Sequence, residues 1–357
     1  MKATRAKRVG ALLVGLSLVA AACGSDDAAT TTTDAGSETT DAPETTDAME
    51  EEASETVQAA PTCEGEGDGV LNIATVLPET GNLAFLGPPE FAGAQLAIDE
   101  INEGGGVLDA DVTLDQGDSG DTSTDIANQT VDRQLAAGAD AFIGAASSGV
   151  SFTFIDKLVE NCKIHFSPAN TSPDFTDYED DGLYFRTAPS DVLQGRVLAD
   201  LMIEEGVTTA SFMALQDPYG EGLLQYSTEP FADSGGEIVD QFTYDPQAAE
   251  FSAEVDRVVS GDPEALVIIG FEETSKILTA LFEAGFTPKA GKQIFLVDGN
   301  VGNAPGEQLP AGSMEGIRST LPVAEITGDF QDRGARRCDR WQRQRCGSCC
   351  SDQRCDP

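Results

Sequence analysis

Short apolar runs alternate along this chain with longer stretches whose apolar residues recur every three or four positions. Val70–Leu77 is a nearly continuous apolar run of strand length. Pro88–Asn102 places Phe91, Ala94, Leu96, Ala97 and Ile101 at the spacing of one helical face, and Gly104-Gly105-Gly106 stops it. The same alternation predicts strands at 112–114, 141–143 and 163–166 and helices at 126–137 and 152–160. It then restarts. Helices are expected at 192–205, 220–233, 249–259 and 274–284, and strands at 210–215, 237–244, 265–269 and 294–297. Apolar strands separated by amphipathic helices form parallel sheets covered on both faces. Two such series make an α/β protein of two doubly wound parallel-sheet lobes, with a hinge and a crevice between them at the carboxyl ends of the strands.

The ends of the chain follow other rules. Lys2, Arg5, Lys7 and Arg8 precede an apolar stretch, Val9–Ala22, that is too short to span a bilayer. Residues 1–22 therefore read as a signal peptide. Its last residues, Val19-Ala20-Ala21-Ala22-Cys23, resemble a bacterial lipobox, which implies cleavage before Cys23 and a lipid thioether on its sulfur. From 24 to 61 the chain is Thr, Asp, Glu, Ala and Ser, a composition that cannot bury enough surface to offset ordering entropy. It is expected to tether the folded body to the membrane surface. The formal charge of −41 excludes nucleic acid as a partner class, since phosphate binding needs basic patches.

The order and spacing of several stretches resemble the type I periplasmic binding proteins, in the branch that binds leucine, isoleucine and valine. They are Pro78-Glu-Thr-Gly81 with Gly87, Asp99-Glu-Ile-Asn102, Ile143-Gly144, Ser167-Pro-Ala-Asn-Thr-Ser-Pro173, Phe185-Arg-Thr187, Tyr219-Gly-Glu-Gly222 and Asp298-Gly299. The resemblance implies lobe 1 at 62–188 and lobe 2 at 189–319. It also implies a monomeric receptor for a small amino acid, delivered to the permease subunits of an ABC importer, with no cofactor. Carried over position by position, it puts the hydroxyls of Ser148 and Thr171 and the backbone at Ala169 on the ligand's carboxylate and amino region. Tyr219 becomes an aromatic lid, and Asp298 the partner of the ammonium group. Phe85, Leu86, Phe271 and Glu272 become candidates for the side-chain pocket. Asn170 stands where the family often has Ala, which leaves ligand choice open, as does Glu272 if it faces the cleft. A sensor of a small amide or amino acid, coupled to a signalling partner, is the alternative.

Other chemistry is sparse. His165, the only histidine, has no second histidine to share a metal or a triad, and reads as a strand residue. Gly65-Glu-Gly-Asp-Gly69 precedes its strand instead of following one, so it fails as a phosphate loop. No nucleophile–base–orienter set is visible, which argues against an enzyme. Cys63 and Cys162 each stand just before a strand, at the same end of the first sheet. In an oxidising compartment a disulfide is expected, the alternative being buried free thiols.

From about Arg333 the composition changes abruptly. Arg333, Arg336, Arg337, Arg340, Arg343, Arg345 and Arg354 crowd a chain of only 21 basic residues, and Cys338, Cys346, Cys349, Cys350 and Cys355 are five of its eight cysteines. Cys346-x-x-Cys349 has zinc-ligand spacing. The stronger expectation is a frameshift, because Arg and Cys codons read one base later begin with G, and such codons encode the Ala, Gly, Val, Asp and Glu used elsewhere. Residues 320–357 then hold a second hinge crossing and an aberrant tail, and the fold is C-terminally incomplete.

Overall fold

The computed structural model describes Cys63, residues 67–302 and residues 306–323, all within one compact unit, Thr56–Pro357. The signal peptide, Cys23, the tether and the Arg/Cys-rich tail lie outside the described residues. Among the described residues no helix is long and apolar enough to cross a membrane.

Lobe 1 runs β1 (Asn72–Leu77), α1 (Gly87–Glu103), β2 (Thr113–Asp118), α2 (Ile126–Ala136), β3 (Ala141–Gly144), α3 (Ser148–Phe152), α4 (Ile155–Glu160), β4 (Ile164–Ser167) and β5 (Tyr184–Arg186). Lobe 2 runs α5 (Asp191–Glu204), β6 (Thr209–Leu215), α6 (Pro218–Asp233), β7 (Glu237–Tyr244), α7 (Ser252–Gly261), β8 (Ala265–Ile269), α8 (Thr274–Glu283), β9 (Gln293–Leu296) and β10 (Arg318–Ser319). All strand pairs are parallel, in the orders β2-β1-β3-β4-β5 and β10-β9-β8-β6-β7. Each sheet reverses its winding once, between β1 and β3 in lobe 1 and between β6 and β8 in lobe 2. Loops leaving such a pair diverge to opposite faces and open a crevice at the strand ends.

The apolar runs became buried strands: β8 is buried at every residue and β6 at all but its first. The departures from expectation are local. The helix read at 152–160 is two short helices. Ser147 caps an earlier start by accepting from the Val150 N–H, and a turn closed by Phe154 N–H on the Ser151 carbonyl breaks the chain before α4. Strands β5 and β10, of three and two residues, are too short for a period to show in the sequence. On α1 the buried stripe is Phe91, Ala92, Ala94, Leu96 and Ile98, whereas Ala97 and Ile101, expected on the inner face, are exposed. At about 100° per residue Ala97 points away from that stripe and Ile101 falls at its edge. Cys63 and Cys162 are joined by a disulfide, with Cα atoms 5.7 Å apart, that ties the segment before β1 to the turn after α4.

Candidate ligand-binding site

The site candidates sit just past the carboxyl end of a strand or at the first turn of the helix that follows, except Phe85 and Leu86, which end the long loop before α1. Ser148 opens α3 after β3, and Ala169–Thr171 follow β4. Tyr219 is in the first turn of α6 after β6, Phe271 and Glu272 follow β8, and Asp298 follows β9.

The lobes touch along this rim. The Ser172 hydroxyl donates to the Pro218 carbonyl across the crevice at 3.1 Å, and the Glu272 N–H donates to the Asn82 carbonyl at 3.4 Å. Two glycines allow the close approach. A Cβ on Gly149 of α3 would stand 3.1 Å from the Asp217 Oδ2, and one on Gly222 of α6 would stand 2.6 Å from the Pro173 ring. Leu83 and Ala146 of lobe 1 join the buried apolar cluster of lobe 2, with Phe85, Leu86 and Ala169 half-buried against it.

On the lobe 2 side, Asp298 Oδ1 accepts from the Tyr219 hydroxyl at 2.8 Å and from Gln194 Nε2 at 2.9 Å. The Tyr219 hydroxyl also accepts from the Gly299 N–H at 3.2 Å. Its ring stacks on Phe271 with centroids 5.4 Å apart and planes within 9°. Burial pushes the Asp298 carboxyl above the ordinary range, and the Tyr219, Gln194 and Gly299 donors pull it back.

Asp191, the first residue of α5, is fully buried, and neither of its carboxylate oxygens has a partner of hydrogen-bonding geometry. Its N–H donates to the Thr171 carbonyl at 2.9 Å. Burial raises its carboxyl well above the usual range, and the charge of nearby Asp298 raises it further. The Thr171 hydroxyl and the Arg186 guanidinium oppose that rise. Ser148, on the other side of Thr171, accepts on its hydroxyl from the Ser172 N–H at 3.3 Å. A run of contacts thus leads from Ser148 through Ser172 and Thr171 to Asp191, and the field of Asp298 links it to Tyr219.

Asn170 points elsewhere. The Asn170 amide lies inside lobe 1, donating to the Ala146 carbonyl and accepting from the Tyr184 hydroxyl. Glu272 accepts from Gln308 Nε2 at 2.8 Å.

Four residues of the region were not singled out in the sequence: Asp191, Gln194, Asp217 and Glu273. Asp217 caps α6 by accepting from the Gly220 N–H at 2.8 Å, and its other oxygen is buried without a partner. Burial pushes it up to about 7, with Glu273 and Glu221 adding to the rise. Glu273 accepts from the Phe271 N–H and the Tyr244 hydroxyl, and burial raises it as well. Ser190-Asp191 and Asp217-Pro218 carry helix-start signals, so their local reading is capping alone. Among the described residues no group of acids, Cys and His is arranged to hold a metal.

A two-lobed parallel α/β body with polar groups converging on its crevice defines a class of ligand-trapping protein. The chain belongs to the Periplasmic binding protein family, whose profile matches residues 70–342. It is 28% identical over 221 residues to a Leu/Ile/Val-binding protein homolog from Brucella melitensis, a match covering 60% of this chain and 58% of that one. The fold is similar to a leucine-binding protein from Thermotoga maritima (TM-score 0.65, 22% identity, 77% of this chain and 76% of that one). It is also similar to an ABC-transporter solute-binding protein from R. palustris solved with benzoate (TM-score 0.64, 20% identity, 76% and 74%). The chain spans a little over half the length of curated relatives it matches, 54%, 58% and 56% for three of them.

Proposed function

We propose that this chain is the extracellular substrate-binding lipoprotein of an ABC importer. It takes an aliphatic, branched-chain amino acid or a similar small zwitterion between its lobes and passes it to a membrane permease. The observation that carries this reading is the buried Asp191, neighboured by the Thr171 hydroxyl and in the field of Asp298, with Ser148 one link away through Ser172. Two carboxyls buried this near each other are costly to ionise, and an ammonium group supplies both charge and donors. The hydroxyls suit the carboxylate end of the same ligand. Ligand bridging the two lobes stabilises their closed arrangement by the difference between its affinities for the closed and open forms. The site is read as a binder, with Tyr219 and Asp298 holding ligand and performing no chemistry.

A second reading follows from the relative solved with benzoate: an aromatic carboxylate stacked on the Tyr219–Phe271 pair. Asp191 and Asp298 disfavour it, because such a ligand offers neither of them a cation. Calorimetric titration with L-leucine, L-valine, L-alanine and benzoate separates the two. Micromolar binding of the branched amino acids, about −8 kcal/mol, is expected. Binding of benzoate with none of the zwitterions overturns the proposal. Transport and sensing are separated by reconstitution with ABC permease subunits from the same organism, where ligand-stimulated ATP hydrolysis is expected.

A further inference from the structure

Strands β3 and β4 pair through Ala141↔Ile164, Phe142↔His165 and Ile143↔Phe166, and the backbone pairing ends there. The two chains nevertheless stay tied for five more residues, through side chains. His165 Nε2 meets the Gly144 carbonyl at 2.6 Å, the Ser167 hydroxyl donates to the Ala145 carbonyl at 2.7 Å, and Asn170 Nδ2 donates to the Ala146 carbonyl at 2.9 Å. The Ser172 N–H then donates to the Ser148 hydroxyl. Three consecutive carbonyls, 144 to 146, are each taken by a side chain of the neighbouring segment.

The rungs are cross-braced. The Ser167 hydroxyl also accepts from the N–H groups of Ala169 and Asn170, at 3.2 and 2.9 Å, so one oxygen holds both loops. The Tyr184 hydroxyl donates to Asn170 Oδ1 at 3.1 Å, which fixes the amide with its NH₂ toward Ala146. His165 must carry its proton on Nε2 to serve a carbonyl, and its buried Nδ1 is bare. The ladder is nearly water-free: Ser167 and Asn170 are 0% exposed, His165 1% and Tyr184 9%. Burial strengthens such bonds and makes each lost partner expensive.

We infer that Ser167, Asn170 and Tyr184 are positioning residues for the ligand site. They extend the β3–β4 pairing by side chains and so set the separation and facing of the Ser148 and Thr171 hydroxyls. This rests on the ligand reading above, but its local consequence does not. Asn170 then acts on the ligand through the Ala146 carbonyl and not by contact.

The test combines amide hydrogen exchange on the ligand-free protein with L-leucine titration, for Ser167→Ala, Ser167→Thr and Tyr184→Phe. For Ser167→Ala, exchange at 145–148 and 169–172 is expected to quicken at least tenfold while β1 and β6 stay protected, and L-leucine affinity to fall at least tenfold. Ser167→Thr keeps the hydroxyl and restores most of both. Tyr184→Phe, the mildest change, loosens the same amides and weakens L-leucine two- to fivefold; it decides the matter if Ser167→Ala does not fold. Unchanged exchange at these loops, or an increase spread evenly over lobe 1, overturns the inference. So does full L-leucine affinity in a variant whose loops exchange fast. If the unaltered protein does not bind L-leucine, the functional proposal falls, and the exchange pattern alone decides whether the ladder fixes the loops.

Discussion

In lobe 2, β6, β8 and β9 carry an unbroken apolar cluster from Leu198 and Met202 through Phe212 and Ile268 to Phe295. In lobe 1 the apolar residues fall into two smaller clusters, one around Val76, Phe142 and Leu158, the other around Ile155, Phe175 and Tyr184. One face of the β4–β5 edge leaves Ile164, Phe166 and Phe185 exposed at 43, 38 and 48%. What lobe 1 lacks in apolar burial it replaces with directional ties: the Cys63–Cys162 bridge and the side-chain ladder between β3 and β4. The difference teaches how the two halves of one crevice are made firm. Lobe 2 presents Tyr219 and Asp298 from a packed slab, and lobe 1 presents Ser148 and Thr171 from loops laced by polar groups.

The two lobes should part most visibly when the disulfide is removed. Closing a loop of sequence separation 99 is worth about 4.7 kcal/mol in the chain-entropy model, so Cys63→Ser with Cys162→Ser is expected to unfold lobe 1 at lower urea than lobe 2. Coincident fluorescence and hydrogen-exchange transitions for both lobes would contradict it. In lobe 2 the matching lesion is Phe212→Ala, at a residue with no exposed surface, expected to cost about 3–5 kcal/mol and to lower the lobe 2 transition instead.

Smaller effects sit at the junction. Asp298→Asn removes a charged partner and should weaken L-leucine by about 1.5–3 kcal/mol, roughly 10- to 150-fold, with little change in the ligand-free melting temperature. Asp217 titrates at about 7 in the folded protein against 3.8 ordinarily, because burial disfavours its charge. The folded state therefore keeps a proton that the unfolded chain has released between those values. Its stabilising share is full in acid and lost as pH rises through 7. Asp217→Asn keeps an acceptor for the Gly220 N–H, so its melting advantage should grow from pH 5 to pH 8, on the order of 2 kcal/mol. The smallest effect is Tyr219→Phe, which keeps the stack on Phe271 and loses the bond to Asp298, about 0.5–1.5 kcal/mol of L-leucine affinity.

Much of this architecture was legible from pattern alone, because strands buried on both faces must be apolar along their length and the helices over them must be apolar on one side. That logic located β1, β6 and β8 and put the crevice at the strand ends. Ser148, Thr171, Tyr219 and Asp298 came forward as candidates only through the resemblance to the binding-protein family. Pattern failed where elements are too short to have a period, as at β5, and where a residue's partner is remote. Gln194 meets Asp298 across 104 positions, and Asn170 meets Ala146 across 24. Asp191 and Asp217 looked like ordinary caps until packing removed their water.

The amino-acid order determined the periods, the two-lobed α/β plan and the rim on which a ligand site could stand, since these depend on neighbours within a few residues. Only the tertiary structure decided which polar groups face the crevice and which are spent on holding it. A side chain's role there is set by what burial takes from it and which distant partner gives it back, and no local spacing records either.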